Sequence, residues 1–264
     1  NLSMFTFLDI VFLLLGMIVG SFLNVVIYRF NTHKTFGGRS ICMSCRNQIC
    51  WYDLVPVFSF CFLSGKCRHC QSKISWQYPA VELLTGIVFL LLFSKFEYVF
   101  WVDPLIFAYT YGFFATLFSV LIVITVYDLK HKIIPDALSI VFGTLSFMSV
   151  FIFTNFMFDI HIPTLYDFAG LLIALPFAFF FFVSGGRWMG FGDAKLAIGI
   201  GLLLGLAKGL SAVALAFWIG AIVGVVLVIL GKVRGFKAEI PFAPFLALGT
   251  FLAFLLEFNF FNLS

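Results

Sequence analysis

Gly190-Phe191-Gly192-Asp193-Ala194-Lys195-Leu196 sets an ionisable carboxylate at the head of a long apolar run. A charge at membrane depth is costly unless it lines a polar cavity, pairs with another group or carries chemistry, so Asp193 is a candidate site residue. The flanking glycines are expected to let the backbone turn tightly and come close to another segment, which a helix interior disfavours. The chain around this stretch is of one kind. Its 264 residues are 62% hydrophobic and 11% charged, with a mean hydropathy of +1.12. A soluble domain would show amphipathic faces; here many helices must be apolar all round, facing lipid or one another. The 39 phenylalanines are expected to be lipid-facing filler. The composition therefore implies an all-α polytopic membrane protein.

Apolar runs long enough to span fall at about 5–28, 80–95, 104–127, 137–154, 166–184, 193–207, 210–231 and 241–258, giving about eight transmembrane helices. The sixth is short and glycine-rich. The first has no basic stretch before it and no small-residue cleavage pattern before Arg29, so it is expected to be a retained helix rather than a signal peptide. The chain divides accordingly into a first helix over 1–28, a polar segment over 29–79, and the remaining helices over 80–264. Orientation follows from the cations. Arg29, Lys34, Arg39, Arg46, Lys66, Arg68 and Lys73 lie in the polar segment, and Lys130, Lys132, Arg187, Lys232, Arg234 and Lys237 fall in connections on the same side. The other side has Lys95 and Lys208, with Asp9, Glu97, Asp103, Asp159, Asp167 and Glu257. The positive-inside rule then puts the N-terminus outside, residues 29–79 in the cytosol and the C-terminus outside. On this topology the third helix ends inside at Tyr127-Asp128 and the sixth begins inside at Asp193, so both carboxylates meet the same membrane face.

The polar segment holds all six cysteines. Cys42-Met43-Ser44-Cys45 and Cys67-Arg68-His69-Cys70 are paired C-x-x-C knuckles at a spacing close to that of a four-thiolate zinc site. Structural zinc would stabilise a segment too small to build a core. The plainer alternative is a set of reduced, unliganded thiols, since the cytosol disfavours disulfides. Cys50 and Cys61 are expected to be simple buried thiols. His69 could replace one ligand, but four cysteines are the simpler set. The basic residues are already explained by topology, so no nucleic-acid partner is invoked.

Each aspartate has a bland account on its own. Asp193 can cap a helix after a glycine turn, Asp136 can cap the next helix after Pro135, and Asp128 can sit at the interface balanced by Lys130 and Lys132. Arg187 and Lys195, flanking the glycine turn, are read as topology. Taken together, two carboxylates within a few ångströms cannot both ionise easily and share a proton, the arrangement of an aspartic protease. No G-x-S-x-G or H-E-x-x-H occurs to suggest other hydrolytic chemistry. Two other readings stand beside it. One is a carboxylate-based ion-coupled transporter, against which no internal repeat is found; the other is a non-catalytic assembly protein whose aspartates are caps.

Several motifs in order resemble the type IV prepilin peptidases, a family of G-x-G-D membrane aspartic proteases. They are Gly20-Ser21-Phe22-Leu23-Asn24-Val25-Val26-Ile27-Tyr28-Arg29, the paired knuckles with Trp51 to Val57 and Gly65-Lys66-Cys67, and Tyr78 to Gly86. Asp128 with Ile134-Pro135-Asp136, Gly190 to Asp193, and Glu239 to Phe245 complete the set. Ala243 departs from the glycine common before the last proline. The resemblance implies that Asp128 and Asp193 are the catalytic pair. It implies type IV prepilins or pseudopilins as substrates, cut after a short basic leader at the cytosolic side of the bacterial inner membrane. Members with the cysteine segment are similar to bifunctional enzymes that also N-methylate the new terminus with S-adenosylmethionine, for which no binding residues can be named here. Glu82 and Glu239, near cytosolic helix ends, are candidates to receive the leader or its amine, or to pair with a nearby Lys or Arg.

Overall fold

The computed structural model describes residues 2–31, 37–156, 167–187, 189–231, 241–258 and 260. Lys34, Asp159, Lys232, Arg234, Lys237 and Glu239, which enter the expectations above, lie outside those residues. The described residues form helices and turns with only isolated bridges between extended residues. The chain falls into two compact units, Asn1–Val123 and Ile124–Ser264.

In the first unit, α1 (Leu2–Arg29) lies against α3 (Gln77–Val102), with a one-turn helix α2 (Phe58–Phe62) in the segment between them. The pairing is set by small residues. A Cβ on Gly16 would lie 2.6 Å from the Phe89 Cβ and 2.8 Å from the Gly86 Cα, and one on Gly20 2.8 Å from the Glu82 Cα. Gly16 and Gly20 form a G-x-x-x-G stripe, so the two backbones meet directly and gain close contact that lipid cannot supply. Buried Asn24 adds a hydrogen bond from its Nδ2 to the Tyr78 carbonyl at 3.1 Å. Asp103 ends α3 and caps α4 (Pro104–His131): its Oδ1 accepts the N–H of Leu105 at 2.9 Å and of Ile106 at 3.1 Å. Pro104 sits at the first helical position, where its missing N–H costs nothing.

The phenylalanines divide between core and surface. Phe12 stacks on Phe93 at 4.2 Å, and Phe93 and Phe142 are only 1% and 0% exposed, whereas Phe7 and Phe182 are 64% and 72% exposed. The filler expectation is corrected for the first pair: in a helix bundle without a soluble core, the large flat rings also fill the space between helices.

The second unit contains α5 (Asp136–Phe156), a 3-10 segment (Asp167–Ile173) running into α6 (Ala174–Ser184), α7 (Phe191–Ile229) and α8 (Ala243–Leu256). α7 packs against α5, α6, the 3-10 segment and α8. Its 39 residues would make a straight rod of about 58 Å, about twice a bilayer core. The rod is broken at Gly205, where φ 70° and ψ −177° leave helical space, a conformation closed to side-chain-bearing residues. A Cβ on Gly209 would lie 3.8 Å from the Gly201 Cα, a pair that a continuous helix would hold about 12 Å apart. The chain therefore doubles back, and the sixth and seventh expected spans are two legs of one hairpin. Among the described residues, Phe7–Arg29, Gln77–Val102, Pro104–His131 and the hairpin Phe191–Ile229 are long and apolar enough to cross a membrane, with three shorter apolar helices beside them. An all-α membrane fold with a cysteine-bearing segment between its first two long helices is the result.

Candidate active site and metal centre

Within the second unit, three helix ends converge on two carboxylates. Asp128 lies in the last turn of α4 and Asp193 is the third residue of α7; they are 5% and 8% exposed. α7, which carries Asp193, packs on α8, whose first turn reaches Asp128, so both carboxylates lie in one electrostatic neighbourhood. Asp128 Oδ2 accepts the main-chain N–H of Ala243, the first residue of α8, at 3.3 Å. An aspartate merely balanced by Lys130 and Lys132 at a membrane surface would be exposed; this one is buried against a helix N-terminus, whose free N–H groups suit a negative group.

The cap readings need correcting. Gly190, not Asp193, is the N-cap of α7, with an extended φ of −75°, and the Asp193 N–H donates to the Gly190 carbonyl at 3.2 Å. Neither Gly190 nor Gly192 has a positive φ, so the glycines are not there to permit a special turn. Gly192 is there for proximity: a Cβ on it would lie 2.8 Å from the Ile134 Cβ. A Cβ on Gly190 would make an ordinary contact 3.7 Å from Asp193 Oδ2, so its absence leaves open space beside the carboxylate. Asp136 begins α5, and its Oδ1 accepts a hydrogen bond from Lys195 Nζ at 2.6 Å. The reading of Lys195 as topology alone missed this pairing.

In the first unit, the sulfurs of Cys42, Cys45, Cys67 and Cys70 lie within 4.8 Å of one another, Cys42 and Cys70 at 3.8 Å. Zn–S bonds of about 2.3 Å in a tetrahedron give an S–S edge of about 3.8 Å, so the cluster can hold one metal ion. The two knuckles are built alike. In the first, Cys42 N–H donates to Asn47 O at 2.9 Å and Arg46 N–H to Cys42 O at 2.9 Å; in the second, Cys67 N–H donates to Ser72 O at 2.9 Å and Gln71 N–H to Cys67 O at 3.0 Å. Arg46 and Gln71 both carry φ 58°, the turn that aims each pair of sulfurs inward. The N–H groups of Cys45 and Ser44 favour the Cys42 thiolate and bring its pKa down to about 6. The Ser72 hydroxyl and N–H likewise lower Cys70. An Asn47 N–H favours the Cys45 thiolate, but desolvation and the other three sulfurs outweigh it and push Cys45 up to about 11. Four sulfurs this close cannot all ionise without a cation among them, which a bound dication would supply. His69 is not among the grouped ligand atoms. Cys50 is half-buried and Cys61 exposed, which corrects their expected burial: Cys61 lies on a one-turn helix of a segment too small to build a core around its thiols.

Arg68 braces this segment, donating to both Asp53 oxygens at 2.6 to 3.2 Å while lying 5.2 Å from the Tyr52 ring centroid. Its hydrogen bonds hold the Asp53 carboxyl below the usual range. Glu82, 8% exposed in α3, accepts the Val57 N–H at 2.7 Å. Val57 has φ 60° and ψ −49°, and Phe58 N–H donates to Pro56 O at 2.6 Å, so Val57 centres a γ-turn of the rare, strained hand. The Glu82 partners are thus the Val57 N–H and the Ser21 hydroxyl rather than a Lys or Arg, and the first is a bond that no side-chain pattern announces.

Residues 14–96 match the family described as the bacterial peptidase A24 N-terminal domain, and residues 115–225 match the type IV leader peptidase family. Three curated proteins named prepilin leader peptidase/N-methyltransferase are similar along most of the chain. The one from Bacillus subtilis is 32% identical over 246 residues, 91% of each chain. That from Vibrio cholerae is 33% identical over 208 residues, 75% of this chain and 78% of its own. That from Aeromonas hydrophila is 30% identical over 272 residues, 92% of this chain and 88% of its own. No solved structure matches the chain at a significant level. With both family regions present in order and relatives matched along nearly their whole length, the chain belongs to the type IV leader peptidase family.

Proposed function

We propose that this chain is a membrane aspartic endopeptidase that removes the short basic leader from type IV prepilins or pseudopilins, with Asp128 and Asp193 as its catalytic pair. The observation that carries the reading is the burial of these two carboxylates at helix ends that share α8 as a neighbour, Asp128 through the Ala243 N–H and Asp193 through the packing of α7 on α8. One carboxylate, ionised, takes a proton from water; the hydroxide oxygen bonds to the scissile carbonyl carbon while the other, protonated, gives its proton to the carbonyl oxygen. In the collapse of the tetrahedral intermediate, the carboxyl that took the water's proton gives it to the amide nitrogen, the C–N bond breaks, and the other carboxylate takes a proton from the intermediate's hydroxyl, which restores the pair. The open space beside Gly190 is where an extended substrate backbone would lie.

Zinc at Cys42, Cys45, Cys67 and Cys70 is structural in this reading, closing residues 29–79 into a ribbon-like segment, while residues 80–264 carry the protease site. The names of the relatives support N-methylation of the new terminus, for which S-adenosylmethionine would supply the methyl group. The cation distribution supports an orientation with the N-terminus outside and residues 29–79 in the cytosol, and the bacterial relatives support the cytoplasmic membrane as the location.

The test is leader release from a prepilin by the purified protein in detergent. Wild type is expected to release the leader, and Asp128→Ala and Asp193→Ala to abolish release while metal content stays at the wild-type level. An uncut prepilin with wild type, or full cutting by either variant, would refute the protease reading and return a transporter or an assembly protein to consideration. Mass spectrometry of the cut product with S-adenosylmethionine present tests methylation; no added methyl mass would count against it.

A further inference from the structure

The first turn of α7 is fixed on both sides of Asp193. On one side Gly192 lies against Ile134, where even a Cβ would come within 2.8 Å of the Ile134 Cβ. On the other, Lys195 Nζ reaches Asp136 Oδ1 at 2.6 Å. Ile134 lies in the short connection 132–135 that follows the last turn of α4, which carries Asp128, and Asp136 is the first residue of α5 at the end of that connection. Both contacts therefore tie the backbone carrying Asp193 to the connection that follows Asp128.

From this we infer that the Lys195–Asp136 ion pair is a positioning device: it holds the first turn of α7 against the connection between α4 and α5, and so fixes the approach of Asp193 to Asp128. The inference rests on the dyad reading above. Neither residue touches the reacting atoms in this arrangement. The pair is partly exposed, the side chains being 32% and 69% accessible, so it contributes little to global stability. Its effect on catalysis is larger because rate responds steeply to geometry: about 1 Å of misplacement can cost about 10²-fold. A strut that restricts a fraction of that displacement is expected to be worth about 10-fold in kcat.

The experiment is a double-mutant cycle on leader release with purified full-length protein. Asp136→Asn, Lys195→Met and the double variant are each expected to lower kcat about 10-fold, with KM, metal content and melting temperature at wild-type values. The double variant should be no slower than either single, because each removes the same strut. Lys195→Arg should restore most of the rate. Wild-type kcat in Lys195→Met would overturn the inference and leave the dyad standing. So would additive losses, or a raised KM at unchanged kcat, which would place Lys195 on the substrate. If wild type releases no leader, the dyad reading itself falls, and the positioning role with it. Should Lys195→Met fail to fold, the Asp136→Glu variant, which keeps the charge and lengthens the strut, provides the same comparison through its kcat.

Discussion

Replacing Gly192 by alanine sets two effects of opposite sign against each other at one atom. In an open helix the change would stabilise by about 0.5–1 kcal/mol, because glycine loses more backbone freedom on folding. Here the new Cβ would stand 2.8 Å from the Ile134 Cβ and 3.3 Å from its Cγ1 and Cδ1. Ordinary carbon contact needs about 3.5–4 Å, so the first turn of α7 and the Ile134 connection must part by on the order of 1 Å. Overpacking of this kind costs about 1–3 kcal/mol, which outweighs the helix gain. The displacement falls on Asp193, one residue away, and a shift of about 1 Å between reacting groups costs about 10²-fold in rate, or about 2.7 kcal/mol of barrier. Leader release by Gly192→Ala is therefore expected to fall about 100-fold, with metal content unchanged. The clash can be removed from the other side. Ile134→Gly eliminates all three close atoms and should restore most of the rate relative to Ile134→Gly alone, whereas Ile134→Ala keeps the Cβ at 2.8 Å and should not. A Gly192→Ala protein that cuts at the wild-type rate, or one that Ile134→Gly does not rescue, would refute the contact as the reason for this glycine.

Gly190→Ala meets only an ordinary 3.7 Å contact with Asp193 Oδ2, so its melting temperature should match wild type while KM for prepilin rises; an unchanged KM would mean the space beside Asp193 is not used by substrate. Cys42→Ser should lose the bound metal, whereas Cys50→Ser and Cys61→Ser should each keep one metal ion per chain, as measured by elemental analysis of the purified protein. Glu82→Ala leaves the Val57 N–H without its acceptor, costing about 1–3 kcal/mol locally, and should speed hydrogen exchange and proteolysis around Pro56 and Phe58. Val57→Gly, which relieves the positive φ, should do the opposite by about 1 kcal/mol; faster exchange in that variant would show that the turn is held by the valine side chain instead.

The chain's long apolar segments, the doubled cysteine knuckle and the two aspartates were legible because each has a local signature: run length, C-x-x-C spacing, and charge set in an apolar stretch. What escaped the sequence was mostly main-chain. The Ala243 N–H that reaches Asp128 is 115 residues away and carries no side-chain information. The Glu82 bond to Val57 likewise ends on an amide. Gly190 and Gly192 look identical in the sequence, yet one leaves space and the other permits contact with Ile134; only the packing partner distinguishes them. Gly205 could be seen as part of a glycine-rich interval, but its role as the hinge of a helical hairpin depends on a backbone conformation that glycine permits without requiring.

These main-chain contacts bear on how the chemistry is held. No metal is needed in the proposed dyad, so the whole demand for geometry falls on the scaffold. Asp128 is held by the first N–H of α8, and Asp193 by the first turn of α7, which is itself docked on Ile134 and Asp136. α7 packs against both α5 and α8. A substitution that loosens any of these contacts without touching a carboxylate should therefore act on kcat more than on stability, since small displacements that cost the fold little still separate the reacting groups. Substitutions among the four clustered thiols should do the reverse, costing metal and local order around the two knuckles while leaving the carboxylates in place. The ratio of the two effects, read variant by variant, separates the residues that hold the dyad from those that hold the substrate.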